Sequence, residues 1–357
     1  MQVGLIGLPQ AGKKTLLRLL TGVDARNLAA GASTVPGVCP VRDPRVDRLA
    51  AMYQPNKVTP ATIQYLLMPD LTKDSTQNQE LLKALRAVDV LAHVVRAFPD
   101  ESVFHLEGSV DPLRDIGTVQ VELMLNDLLF VETRLERIAK DQHGRRATTD
   151  RSREQTLLTK LQAHLNDNRP LRTVSLDAEE AKLISGAPLL TRKPLLVIVN
   201  TGEEAIRDHR LVQEICTRDD QQHVHLVQVS AKIEEELAQL EDSAERAAFL
   251  QELGITESAI DGLTRASYAA LGLISYFTVG PDEVRAWTVR RGACAAEAGG
   301  VIHSDIERGF IRAELIKYDD LIALGSEQAV ASAGKASLKG KEYLVEDGDI
   351  LNFHFNV

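Results

Sequence analysis

Apolar residues along this chain fall into two rhythms. Short, nearly unbroken apolar runs occur at "QVGLI" (2–6), "ATIQYLLM" (61–68), "DVLAHVVRAF" (89–98), "PLLVIVN" (194–200) and "HVHLVQVSA" (223–231). Their length and density predict strands, and runs apolar on both faces suit a parallel sheet covered on each side. Between 98 and 194 the period lengthens. Val121, Leu128 and Leu135 recur every seven residues, with Met124, Val131 and Ile138 at the matching d-type positions. Leu158, Leu161 and Leu165 resume the stripe after the polar break "KDQHGRRATTDRSR". This predicts two antiparallel helices joined by a polar tip, either a helix pair in the core or a projecting coiled-coil arm. Asp177 and Glu180 then form a D-x-x-E capping pattern for a further short helix. From about Tyr276 the runs "YFTVG", "VRAWTV", "RAELIKY" and "YLVEDGDILNFHFNV" are short and β-rich. They predict a small α+β domain with a hairpin at "EDGD" and a final strand.

The first run leads into "GLPQAGKKTLLRLL". Gly7, Gly12 and Lys13 fit G-x-x-x-x-G-K, and Leu16, Leu19 and Leu20 follow at helical spacing. Strand, glycine loop and helix is the context in which this pattern cradles phosphate. Glycine lets the backbone approach a ligand closely, and N–H groups at a helix start attract anions. A tight strand-to-helix turn in some other α/β protein is the plainer alternative. The usual next residue is Ser or Thr, whose hydroxyl holds magnesium; here it is Lys14, followed by Thr15.

Composition narrows the partners. With 357 residues and 44% hydrophobic content, the chain can build one large core or two to three small ones. A net charge of −10 argues against a globally basic nucleic-acid binder but leaves room for a local patch. Lys140, Arg145, Arg146, Arg151 and Arg153 gather at the polar tip, diluted by Asp141 and Asp150, with His143 beside them. That cluster reads either as a phosphate-contacting RNA surface or as a solvated helix turn. Cys39, Cys216 and Cys294 are scattered and lack metal spacing, which predicts reduced thiols and a cytoplasmic chain. Neither a signal-like leader nor a membrane-length apolar run is present, so no membrane partner is expected.

The ordered motifs "GLPQAGKKTL", "DPRVDRLA", "HVVRAF", "VRAWTV", "GGVIHSDIERGFIRAE" and "GDILNFHFNV" resemble the Obg-like ATPase, or YchF, family from the first residue to the last. The resemblance implies an α/β P-loop G domain with a parallel-type sheet over 1–117 and 188–275. It implies an inserted antiparallel helical coiled-coil arm over 118–187 and a C-terminal ubiquitin-like α+β domain, the TGS domain, over 276–357. It also implies binding of ATP in preference to GTP, and association with ribosomes or RNA through the arm tip and the TGS domain. Trp287 is expected in the core of that last domain.

The chain also departs from the family pattern. Family members carry Gly-Lys-Ser-Thr where this chain has Gly12, Lys13, Lys14 and Thr15. They carry Asp-x-x-Gly where "LMPDL" puts Leu67 at the Asp position and Asp70 at the Gly position. The glycine-rich switch that follows is replaced by "TKDSTQNQ", and the first switch is shortened around "GASTVPGVCP", leaving Thr34 as the candidate metal-binding threonine. Both protein contributions to magnesium are therefore missing. Either no metal is held or Lys14 points elsewhere, and its ammonium either pairs with phosphate or is simply solvated. A guanine reader would show Asn-Lys-x-Asp; Asn200, Thr201, Gly202 and Glu203 keep the family's Asn-x-x-Glu instead. Ser230, Ala231 and Lys232 resemble the loop that closes the base pocket. The resemblance thus assigns nucleotide contacts to Gly7, Gln10, Ala11, Gly12, Lys13, Lys14, Thr15, Asn200, Glu203, Ser230 and Ala231, with no catalytic residue and no metal ligand. Asn200 has a plainer use as an Asx turn at a strand end. The favoured function is a nucleotide-binding translation factor with weak or absent hydrolysis. The alternatives are an ATPase with unusual metal handling, and a ribosome or RNA adaptor that has lost nucleotide binding.

Overall fold

The computed structural model describes residues 1–25, 34–73, 75–142, 149–218, 224–255 and 257–356. The strands are β1 (Gln2–Ile6), β2 (Val35–Pro40), β3 (Lys57–Thr59), β4 (Thr62–Leu67), β5 (Val90–Ala97), β6 (Leu195–Thr201), β7 (Val224–Val229), β8 (Leu273–Thr278), β9 (Glu283–Arg290), β10 (Phe310–Lys317), β11 (Ser337–Lys339) and β12 (Asp349–Phe355). The helices that matter below are α1 (Lys13–Thr21), α2 (Pro44–Tyr53), α3 (Ser75–Ala84), α4 (Pro112–Gln142), α5 (Thr149–Asn166), α6 (Ala178–Leu183), α7 (Arg210–Cys216) and α8 (Ala231–Gln239). The chain forms two compact units, Met1–Gly37 with Gln64–Ser267, and Val38–Ile63 with Tyr268–Val357. Residues 38–63 fall among those expected in the first part of the G domain, yet they pack with the C-terminal unit.

The sheet of the first unit has the order β2-β4-β1-β5-β6-β7. The pairs β1–β4, β1–β5, β5–β6 and β6–β7 are all parallel. Parallel neighbours need crossovers, which put helices on the faces and bury the strands from both sides. All seven residues of β6 are accordingly buried, as are the first seven of β5. One face packs Ile6, Leu91, Val95, Val197 and Val199 against Ile116, Val119 and Leu123 from the start of α4.

Helices α4 and α5 form the expected antiparallel pair. Arg134 bonds Glu154, and Gln162 bonds Glu132, so the pairing runs in opposite directions. Met124, Val131 and Ile138 are buried with Leu158, Leu161 and Leu165. Val121 is the exception to the seven-residue pattern at 42% exposed. It shares a face with the exposed Leu125 and Leu129, and α5 does not cover that face. At the base of the pair the buried Asp127 accepts from Leu190 N, Thr191 N and Thr191 Oγ1, each at 2.7 Å. The Asp177–Glu180 capping box forms at the start of α6.

The second unit is built on a sheet of order β11-β10-β12-β8-β9-β3. Its edge strand β3 comes from the early segment and pairs in parallel with β9. Arg45 of α2 bonds Asp43 and Asp347, and its guanidinium lies 5.1 Å from the centre of the fully buried Phe277 ring. The "EDGD" hairpin does not form. Leu344, ahead of the turn, makes an isolated bridge to Cys294, while β12, after it, pairs with β10 and β8. The turn itself is present, since Gly348 has φ +92°, but its N–H donates to Ser275 O rather than closing a two-strand ladder. Trp287 is half-buried against the core, with its ring N–H on Thr278 and Arg285 stacked 3.8 Å from its centre.

Candidate functional site

The loop between β1 and α1 is shaped by positions that only glycine tolerates. Gly7 has φ +143°, and a Cβ there would lie 2.4 Å from Val94 O on the neighbouring strand. Gly12 has φ +98°, and a Cβ there would lie 2.3 Å from Asn200 Nδ2. Gln10 also adopts a left-handed backbone, with φ 61°, and its side chain is exposed. Helix α1 starts directly from Gly12 with no side-chain cap, so its leading N–H groups suit an anion.

Lys13 sits at the centre of this loop and is only 4% exposed. Its ammonium donates to Gly7 O at 2.9 Å and to Leu8 O at 2.6 Å, and pairs with Asp70 Oδ1 at 2.6 Å. Burial lowers its pKa, and the Asp70 carboxylate opposes that shift. Asp70 follows the end of β4, where Leu71 N donates to Gly7 O at 3.3 Å and ties the two segments together. His93, on β5 beside Gly7, is buried with Nε2 lacking a hydrogen-bond partner. Burial and the nearby Lys13 charge push its pKa down to about 3, so the ring is neutral.

Asn200, at the end of β6, is 3% exposed and uses both ends of its amide. Nδ2 donates to Ala11 O at 3.0 Å, and Oδ1 accepts from Ala231 N at 3.1 Å. It therefore braces the glycine loop against the start of α8 rather than closing an Asx turn. Ser230 caps α8 by accepting from Ile233 N. Thr201 Oγ1 is buried and donates to Val229 O.

The structure thus gathers Gly7, Ala11, Gly12, Lys13, Asn200, Ser230 and Ala231 around one end of the parallel sheet. Glu203 lies at the surface with Lys232 Nζ at 3.3 Å from its carboxylate. Lys14 is exposed and has no ion-pair partner among the described residues, Thr15 is half-buried, and Thr34 is half-buried just ahead of β2. Leu67 is buried in β4. Of the arm-tip cations, Lys140 lies 3.7 Å from Glu136 and Arg153 lies 3.6 Å from Glu179. Arg151 is half-buried, while Arg145 and Arg146 lie outside the described residues. Sequence reasoning assigns no role to Asp70 or His93. Asp70 is visible in the sequence as the residue standing where the resemblance leads one to expect glycine; nothing local marks His93 as an orphaned ring.

Comparison with known proteins decides the family. The chain is 39% identical over 367 residues to a ribosome-binding ATPase YchF of Bacillus subtilis, covering all of both proteins. The chain belongs to the YchF family. It is also 35% identical over 374 residues to Obg-like ATPase 1 of Oryza sativa subsp. japonica, covering all of this chain and 92% of that protein. A solved YchF GTPase from Schizosaccharomyces pombe matches with a TM-score of 0.87 at 32% identity, over 99% of this chain and 97% of that one. Residues 273–356 match a family model described as "YchF-GTPase_C: Protein of unknown function (DUF933)". The YchF fold places the glycine loop at the carboxyl edge of a parallel sheet, where open α/β sheets bind ligands.

Proposed function

We propose that this chain is a nucleotide-binding, ribosome-associated protein of the YchF type that prefers ATP to GTP and hydrolyses nucleotide weakly or not at all. The observation that carries the reading is the glycine loop itself. Gly7 and Gly12 hold backbone conformations closed to other residues, the buried Lys13 lies within the loop, and Asn200 locks Ala11 to Ala231. The name of the Bacillus subtilis relative, a ribosome-binding ATPase, supports both ribosome association and ATP as the ligand. At the base end, Glu203 stands where a guanine-reading Asp would be, which favours adenine.

The residues around the loop do not fit magnesium. Position 14 carries an exposed ammonium instead of a hydroxyl, and position 67 a buried leucine instead of a carboxylate. Loop amides and Lys13 would position a polyphosphate but offer little stabilisation to a transferring phosphoryl group, which is why turnover is expected to be slow. The test is titration with a fluorescent ATP analogue, with magnesium and with EDTA, followed by competition with ATP and GTP and by a phosphate-release assay. Expected are binding that survives EDTA, displacement by ATP at least as effective as by GTP, and little phosphate release. A strong GTP preference, binding abolished by EDTA, or turnover at an ordinary ATPase rate would each refute the corresponding part.

A further inference from the structure

We propose that Asp70 stands in for a terminal phosphate on Lys13 and makes the loop site prefer a nucleoside diphosphate to the triphosphate. The inference rests on the nucleotide reading above and names which form of the ligand the site selects. A lysine ammonium has three donors and no acceptor. All three directions at Lys13 are taken, by Gly7 O at 2.9 Å, Leu8 O at 2.6 Å and Asp70 Oδ1 at 2.6 Å. An arriving phosphate must therefore displace one of them. A β-phosphate needs one donor and can take it from a loop carbonyl, leaving the Lys13–Asp70 pair whole. A γ-phosphate needs a second donor, held by the remaining loop carbonyl or by Asp70. Of these we take the half-exposed Asp70 carboxylate as the group it meets, because that one reaches Lys13 from the solvent side.

Once displaced, Asp70 can move only by rotation of its side chain, because its backbone is held on both sides. Pro69 precedes it with a fixed φ, and Leu71 N is bonded to Gly7 O on its other side. Its carboxylate would stay beside the γ-phosphate, where like charges repel. Magnesium would normally offset such crowding, but positions 14 and 67 supply no ligand for it. A glycine, the residue of the family pattern at this position, would bring no charge at all. The pairing of Asp70 with the loop lysine is thus a property of this chain's own sequence.

The experiment is calorimetric titration of the full chain with ADP and with ATP, in EDTA, for the wild type, Asp70→Asn and Asp70→Gly. The wild type is expected to bind ADP more tightly than ATP by on the order of tenfold or more, the scale of one charge-assisted hydrogen bond. Asp70→Asn keeps the shape and removes the charge, so it should narrow the ratio, mainly by tightening ATP, and Asp70→Gly should do the same. Circular dichroism of both variants checks that they fold. Equal affinities in the wild type, or a ratio unchanged in both variants, would overturn the role of Asp70 alone. Failure of both nucleotides to bind wild type and variants would overturn the nucleotide reading and this inference with it.

Discussion

Two single residues beside the glycine loop carry testable electrostatic consequences. His93 has its pKa pushed from the ordinary 6.5 down to about 3 by burial and by the Lys13 charge. The unfolded chain therefore binds a proton between those pH values that the folded chain does not. Stability contributed by the neutral ring is full above pH 6.5 and is lost as pH falls toward 3, with a slope of up to about 1.4 kcal/mol per pH unit. His93→Leu removes this titration and also the unpartnered Nε2. Denaturant titrations across mildly acidic pH should show the wild type losing stability more steeply than the variant; parallel profiles would mean that His93 protonates freely in the fold. Lys14 is the second case, since its ammonium is exposed at the position where the glycine-loop pattern usually carries Ser or Thr. Lys14→Ser should introduce magnesium dependence into ATP affinity by several-fold. It should not restore turnover, because the buried Leu67, which we align with the carboxylate of the second motif, would still offer no metal ligand. Affinities in magnesium and in EDTA for both proteins test this, and an unchanged ratio would show that position 14 is remote from the metal.

At the scale of elements, the α4–α5 pair separates a structural base from a charged end. The base is held by Asp127, which accepts three hydrogen bonds from residues 190–191, so it belongs to the fold. Among the described tip cations, Lys140 already faces Glu136 and Arg153 faces Glu179. We propose that these cations contact ribosomal phosphate. Charge reversal at Arg145, Arg146, Arg151 and Arg153 should weaken ribosome co-sedimentation. The slope of log affinity against log salt should flatten by about 0.7–0.9 for each phosphate that the arm no longer neutralises. Thermal melting should be unchanged. Ribosome binding equal to wild type at every salt concentration would place the ribosome-binding surface elsewhere on the molecule.

At the scale of the whole molecule, the C-terminal unit is discontinuous. The family model spans 273–356, but the unit also takes in Val38–Ile63. That segment supplies β3 to the edge of β9 and Arg45 over Phe277. A fragment of 268–357 alone should expose Phe277 and lose a strand from its sheet edge. It should be less stable by roughly 2 kcal/mol or more, the scale of uncovering one large side chain. Fusing 38–63 to the fragment through a flexible linker should recover the loss. Urea denaturation of the fragment and the fusion decides it, and equal midpoints would show that the early segment is dispensable to this unit.

What can be read from the sequence is local. The strands β1, β5 and β6 are legible because a strand buried on both faces must be apolar nearly throughout, and the partly exposed β4 and β7 because apolar residues still recur along a short run. The glycine loop is legible because a phosphate-binding turn confines its geometry to consecutive residues, and the α6 capping box because it closes within one helical turn. What stays hidden is any pairing whose partner lies far along the chain. "EDGD" encodes a turn, but the ladder it would have closed is taken by β10 and β8. Asn200 reads locally as a base-pocket residue or a turn. Only the crossover of the parallel sheet brings it to Ala11, 189 residues away, and gives both its amide ends to bracing. Asp70 shows only as a misplaced charge until β4 beside β1 carries it to Lys13. Sequence period determines what kind of element forms, because propensity and burial act residue by residue. Which side chains then meet depends on sheet order and register, and those are decided by packing across the molecule.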